Sequence, residues 1–246
     1  MRPRHDLKLL AALAALLAGP ALAGSFGVAP TRIDLGNGAR SSLVEVTNDD
    51  TRKLSFQVRL ASWTQDVSGK DGYADSQDLI FFPPLFTVNA GDKRVIRVGL
   101  KGGEAPASEV AYRLYIEEIP EPTAASSGSE VKVVLRFGVP VFVAPAKPHR
   151  AFVLEDVALQ PGKATFRIRN DGNQSAKFET LKLVQGPRTL AETAGWYVLP
   201  GATRAFDIPV EPGKCVASGT LEVQAQADGV ALKRDVPAAP ALCARP

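Results

Sequence analysis

The sequence predicts an all-β protein built as two immunoglobulin-like sandwiches. Three observations carry this. Apolar and polar residues alternate in short runs, and these runs are punctuated by turn clusters rich in Gly, Asn, Asp and Pro. After residue 24 no stretch keeps a helical 3.6-residue period for three turns. About seven such runs fall in each half of a 246-residue chain, the number that fills one sandwich of this type.

In the first half the expected strands are 26–35, 41–47, 54–63, 85–88, 94–100, 111–119 and 131–143. Their turns are Gly36-Asn37-Gly38, Asn48-Asp49-Asp50, Ser68-Gly69-Lys70-Asp71-Gly72 and Asn89-Ala90-Gly91-Asp92. The second half offers strands 152–159, 164–169, 177–183, 196–199, 203–208, 219–226 and 232–236, with tight turns at Asn170-Asp171-Gly172-Asn173 and Pro200-Gly201. The segment 145–150 (Pro-Ala-Lys-Pro-His-Arg) reads as a stiff linker, which divides the mature chain into domains 24–145 and 146–246. Trp63, Trp196 and the phenylalanines are expected to fill the two cores. Asp34, Asp49, Asp50 and Asp71 stand beside turn formers and read as turn residues.

The first 23 residues are a different kind of segment. Arg2, Arg4 and Lys8 precede an apolar run over 9–18, and Ala21-Leu22-Ala23 has the small residues of a signal-peptidase site. Cleavage there leaves 26 basic against 25 acidic residues, so the formal charge of +3 falls to about +1. Nucleic-acid binding loses its compositional support, and no stable membrane insertion is expected once the signal is gone. Export also places Cys215 and Cys243 in an oxidising compartment, where a disulfide is the expected state.

Little in the chain points to catalysis. His149, in the linker, is the sole histidine of the expected mature chain, so a histidine-rich metal site is excluded and a Ser-His-Asp or Cys-His mechanism would have to run through it. No aspartate-rich loop has calcium-ligand spacing, and no glycine-rich loop joins a strand to a helix as a phosphate site requires. The expectation is a binding protein with no cofactor and no metal.

The segment 131–143 is where binding is expected. Val131, Val133, Leu135, Phe137 and Val139 alternate on one face, while Lys132, Arg136 and Gly138 fall on the other, with Val134 the exception. Pro140 cannot donate to a ladder and marks an edge strand. An apolar edge is an aggregation hazard unless it pairs with something, and strand addition to another polypeptide satisfies both its backbone and its face. The competing expectation is a secreted structural or adhesive sandwich protein that packs this strand internally.

A series of short motifs carries a family resemblance across nearly the whole mature chain. In order they are Pro30-Thr31-Arg32, Val44-Glu45-Val46-Thr47-Asn48, Phe82-Pro83-Pro84-Leu85-Phe86, and Gly91-Asp92-Lys93-Arg94-Val95-Ile96-Arg97-Val98. Ala111-Tyr112-Arg113-Leu114, Glu118-Ile119-Pro120 and Val139-Pro140-Val141-Phe142-Val143 follow. The chain resembles the periplasmic chaperones of the chaperone-usher pathway, which assemble pili and fimbriae.

The resemblance implies a boomerang of two immunoglobulin-like domains in the periplasm. It also implies capture of pilin subunits by donor-strand complementation and their delivery to an outer-membrane usher, without ATP. The matching donor positions are Val131, Val133, Leu135 and Phe137. Burying four such side chains is worth roughly 6 to 12 kcal/mol, against association costs of order 4 to 15 kcal/mol, so main-chain pairing has to contribute as well. Arg32 matches the family arginine that binds the subunit's terminal carboxylate. The family's partner lysine falls on Pro140 here, leaving Arg97, Arg113 or Arg136 as the second cation and marking a divergent branch.

Overall fold

The computed structural model describes residues 26–36, 38–120, 133–211 and 213–244. The signal segment and Val131 lie outside the described residues.

Among the described residues the first sandwich contains ten strands: β1 (Phe26–Ala29), β2 (Ile33–Leu35), β3 (Ser41–Asn48), β4 (Leu54–Gln65), β5 (Asp71–Asp75), β6 (Leu79–Phe82), β7 (Leu85–Val88), β8 (Lys93–Leu100), β9 (Val110–Ile119) and β10 (Arg136–Val143). One sheet runs β1-β3-β8-β6; the other runs β2-β10-β9-β4-β5, with β7 also paired to β4. Alternation sends Val44 and Val46, Leu54 to Leu60 by twos, and Ile96 and Val98 into a common core.

The expected strand 26–35 is two strands in two different sheets. Pro30 has no N–H to give a ladder, and the chain crosses between the sheets there: β1 pairs antiparallel with β3, and β2 pairs parallel with β10. Pairing with β2 reaches only Val141, Phe142 and Val143 of β10. The expected turn 68–72 is shorter than its sequence indicates, because Asp71 already belongs to β5 and pairs with Gln65.

The second sandwich holds β11 (Phe152–Gln160), β12 (Lys163–Asn170), β13 (Ala176–Lys177), β14 (Thr180–Gln185), β15 (Arg188–Thr193), β16 (Tyr197–Val198), β17 (Thr203–Pro209), β18 (Thr220–Ala227) and β19 (Val230–Pro237). Its sheets are β11-β12-β17, β13-β16 and β15-β14-β18-β19. The hairpin β14–β15 turns at Gly186, which takes a φ of 54°. β15 was not expected from the sequence: Leu190 is its only fully buried side chain, too little for an alternation signal.

Each sandwich is closed by one buried asparagine. Asn48 Nδ2 donates to the carbonyls of Arg52 (2.7 Å) and Val88 (3.0 Å), while its Oδ1 accepts the Asp50 N–H (2.9 Å). Asn170 does the same with Gln174 (2.8 Å), Val198 (3.0 Å) and the Gly172 N–H (3.0 Å). The two Asn-Asp pairs at 48–49 and 170–171 are thus the same structural device used twice, a side-chain amide that satisfies loop backbone the sheets leave unpaired.

Cys215 and Cys243 are joined, with Cα atoms 5.3 Å apart. The bond ties a loop to the 3₁₀ turn Pro240–Cys243, whose Leu242 is buried in the second core. The closed loop spans a separation of 28 residues, for which chain entropy gives roughly 3.5 kcal/mol. Reduction is therefore expected to lower the unfolding free energy of the second sandwich by about that amount. Urea denaturation followed by circular dichroism, with and without dithiothreitol, checks it; coincident curves would contradict it.

Candidate functional site

Strand β10 divides into two halves. Val139, Val141 and Val143 are buried in the first core, so half of the expected apolar strand does pack internally. Toward its start the same face emerges from the sandwich. Phe137 is 38% exposed with its ring 5.0 Å from Phe26, Leu135 is partly buried against the core, and Val133 is 78% exposed. Among the described residues regular pairing begins at Arg136, and 133–135 precede the strand.

The backbone shows which edge is open. The Leu135 carbonyl accepts the Glu118 N–H at 3.0 Å, so residue 135 faces β9, and alternation turns 137, 139 and 141 the same way. Residues 136, 138 and 140 therefore face outward. From 141 onward that outer edge is covered by β2, and the Ala144 N–H donates to Leu35 O (2.8 Å). Before 141 no described strand covers it. Pro140 sits at an outward position, so its missing N–H leaves the β9 ladder intact.

The open edge ends at a cleft between the sandwiches, a cavity of about 950 Å³ lined by Arg32, Arg113, Gly138, Pro140, Phe142 and Tyr197 among others. The sheet is buried on both faces here. Trp63, Ala111 and Phe142 form one row across β4, β9 and β10; Ala61, Arg113 and Pro140 form the next. Trp63 packs with Phe142 (5.9 Å), Tyr197 (5.1 Å) and Trp196 (6.4 Å) in a cluster that joins the two domains. Trp63 was expected in a sandwich core. It serves the joint instead, because at Ala61 the burial on β4 shifts to the outer face.

Arg32 lies against this joint. Its guanidinium is 4.3 Å from the centre of the Phe142 ring, and Asp34 takes its Nε side: Nε donates to Oδ1 (3.0 Å) and Oδ2 (2.9 Å), and Nη2 donates to Oδ1 (2.7 Å). Burial by itself lowers the pKa of this guanidinium, but the Asp34 hydrogen bonds and charge, joined by a hydrogen bond with Tyr197, outweigh it and the net shift is upward. Asp34, expected in a turn, is a strand residue of β2 that orients this side chain. Side-on pairing leaves the Nη1 end of the fork unengaged by Asp34.

The three candidates for the second cation occupy different places. Arg97 is exposed on β8, in register with Leu43 and Phe82, on the outer face of the four-stranded sheet. Arg136 is exposed and ion-paired with Glu117, its guanidinium 5.3 Å from the Tyr115 ring. Arg113 alone of the three lines the cleft. It is directly opposite Pro140 across the β9–β10 ladder, and only 7% exposed. Its guanidinium lies 4.0 Å from the Trp63 ring and 5.6 Å from Trp196, and Nη1 donates to Gly138 O (3.1 Å). A Cβ at position 138 would stand 3.2 Å from the Tyr115 ring, so glycine lets that ring lie close against the strand.

Glu109 completes the cleft from β9's approach, accepting the Ser175 N–H of the second sandwich at 3.0 Å. Burial raises its carboxyl pKa despite that hydrogen bond and the nearby Arg32. Among the described residues no group of three or more His, Cys, Asp or Glu side chains is gathered to hold a metal ion.

An apolar-faced strand edge with no described strand beside it before residue 141 leads to a cationic cleft between two immunoglobulin-like domains. Residues 25–149 match the family of pili and flagellar-assembly chaperones through its PapD N-terminal domain, and the chain belongs to that family. Similar solved structures include a chain of the CsuC–CsuE chaperone–tip adhesion subunit pre-assembly complex from archaic chaperone-usher Csu pili of Acinetobacter baumannii. It is 22% identical with a TM-score of 0.60, over 86% of this chain and 97% of that one. The CupB2 chaperone of Pseudomonas aeruginosa (15%, TM-score 0.56, 86% and 100%) and the Salmonella enterica SafA pilin–SafB chaperone complex (14%, 0.57, 87% and 98%) share the fold. A search of curated protein sequences gives no match.

A raised carboxyl pKa means that the folded chain binds a proton more tightly than the unfolded one. Stability then falls as pH rises from the unfolded pKa, about 4.3, through the folded value, and the penalty persists above it. Glu109→Gln keeps an acceptor for the Ser175 N–H without the charge. It is expected to be more stable than the wild type at pH 7, with the gain vanishing below pH ~4; a gain independent of pH would contradict this.

Proposed function

We propose that this pilus-assembly chaperone works in the periplasm by lending residues 131–140 to an incomplete pilin subunit and passing that subunit to an outer-membrane usher. The observation that carries the reading is the continuity of the site. An open backbone edge, with Val133, Leu135 and Phe137 as alternating side chains, leads directly into the cleft that holds Arg32 and Arg113, and Val131 is proposed as the first donor position of the same alternation. A guest strand running parallel to β10 pairs along the edge and reaches the cleft with its terminal carboxylate. There the Nη1 end of Arg32 and the guanidinium of Arg113 receive the charge, Arg113 taking the place of the family lysine that Pro140 replaces.

Energetics fit a holding role. Val133 and Phe137 are exposed and Leu135 partly exposed in the free chain, so their burial is gained on capture. The donated strand is replaceable by one that completes the pilin better, so exchange drives assembly without a nucleotide. Structures of the same fold that hold a tip adhesion subunit or the SafA pilin accord with this reading.

Val133→Glu is the cleaner test of the donor strand. Leu135 touches the chaperone's own core, whereas Val133 is largely exposed and its replacement is expected to change stability by no more than about 0.5 kcal/mol. Co-purification of a co-expressed pilin should be lost, because a carboxylate would enter an apolar groove. Normal recovery by the folded variant would sink the assignment. Arg32→Ala and Arg113→Ala should each weaken capture of a full-length subunit at least about thirtyfold, as loss of a charge-assisted bond does. Titration of purified subunit measures this; wild-type affinity in either variant removes that arginine from the anchor.

A further inference from the structure

Asp71 accepts four side-chain hydrogen bonds in the domain joint. Its Oδ1 accepts Trp63 Nε1 (2.8 Å) and Gln65 Nε2 (2.9 Å) from β4 of the first sandwich. Its Oδ2 accepts Trp196 Nε1 (3.1 Å) and Arg204 Nη1 (3.2 Å) from the second. Four donors, two from each domain, thus converge on one carboxylate whose side chain is only 19% exposed.

The surrounding contacts reinforce the same junction. Gln65 Nε2 also donates to Tyr197 O (3.0 Å), and its Oε1 accepts the Leu199 N–H (2.9 Å). Arg204 Nη1 donates to Gly69 O (2.7 Å). Gly69 takes a φ of 79°, and a Cβ there would stand 2.6 Å from Arg204 Cα, so the β4–β5 turn is seated directly on β17.

The two indoles that Asp71 holds are the two whose rings flank the Arg113 guanidinium, at 4.0 and 5.6 Å. We infer that Asp71 is a positioning residue for subunit capture: its carboxylate clamps the two sandwiches together and holds Trp63 and Trp196 so that they grip Arg113 at the end of the donor edge. Asp71 touches no part of the open edge itself. Its effect runs through the indole N–H groups, which no other described acceptor takes.

The inference rests on the proposed role of Arg113, and the test separates the two. The probes are a nonapeptide alternating valine and threonine with a free terminal carboxylate, and its C-terminal amide, each titrated by fluorescence anisotropy into the full chain. The wild type should prefer the free carboxylate. Asp71→Asn presents an NH₂ to at least one pair of donors and should cut that preference about tenfold, while circular dichroism and affinity for the amide stay unchanged. Trp63 and Trp196 are the only tryptophans in the chain, so emission should also shift to the red in Asp71→Asn. Trp196→Phe keeps a ring but loses the N–H; it should weaken the preference in the same direction and decides the matter if Asp71→Asn does not fold.

A full wild-type preference retained in the folded variant would overturn the role of Asp71. A wild type without any preference would overturn the carboxylate anchor instead; the clamp would then stand or fall on the emission shift, and unchanged emission would overturn it.

Discussion

The organisation of this chaperone depends on an edge left half-covered. The first strand divides at Pro30, giving its start to β3 in one sheet and its end to β10 in the other. Only residues 141–143 of β10 gain a neighbour on that side. Had the strand 26–35 run unbroken beside β10, the outward groups of residues 136, 138 and 140 would be paired and nothing would be left to lend. The exposed apolar face beyond Val139 follows from the same division, since the sandwich core ends where its covering strands end.

The cleft is the second consequence. β4, β9 and β10 are buried on both faces only where the second sandwich rests on them, and that is also where the open edge stops. Residues that would be solvated on an isolated sandwich are enclosed there. Arg113 is held by two rings and a carbonyl, and Arg32 by Asp34 and Phe142. A guanidinium suits such a site better than an ammonium, because it stacks on aromatic faces and keeps its charge when desolvated. That chemistry accounts for a cation placed on β9 where the strand position opposite it is proline.

The strands that bury one face were legible in the sequence, because alternation and burial coincide in them. Pro140 correctly marked an edge, since a missing donor is tolerable only where no ladder needs it. What stayed hidden were relations between distant residues. Trp63 is separated from Trp196 and Tyr197 by more than a hundred residues, and nothing local distinguishes a ring that fills a core from one that joins two domains. Asp71 follows Lys70 and precedes Gly72, the company of a turn residue, and its four donors lie on two strands, β4 and β17, and a connecting segment. Arg113 could be shortlisted by residue type alone; its place opposite Pro140 required the register of β9 and β10.

The central claim, that the uncovered half of β10 is the surface lent to a subunit, is tested most directly by amide hydrogen exchange on the chaperone alone and in complex with a co-expressed pilin. The account expects strong slowing at the amides of Arg136 and Gly138, which face outward, with the amides of Phe137 and Val139 already protected by β9 in the free chain. Unchanged exchange at Arg136 and Gly138 in a stable complex would contradict it.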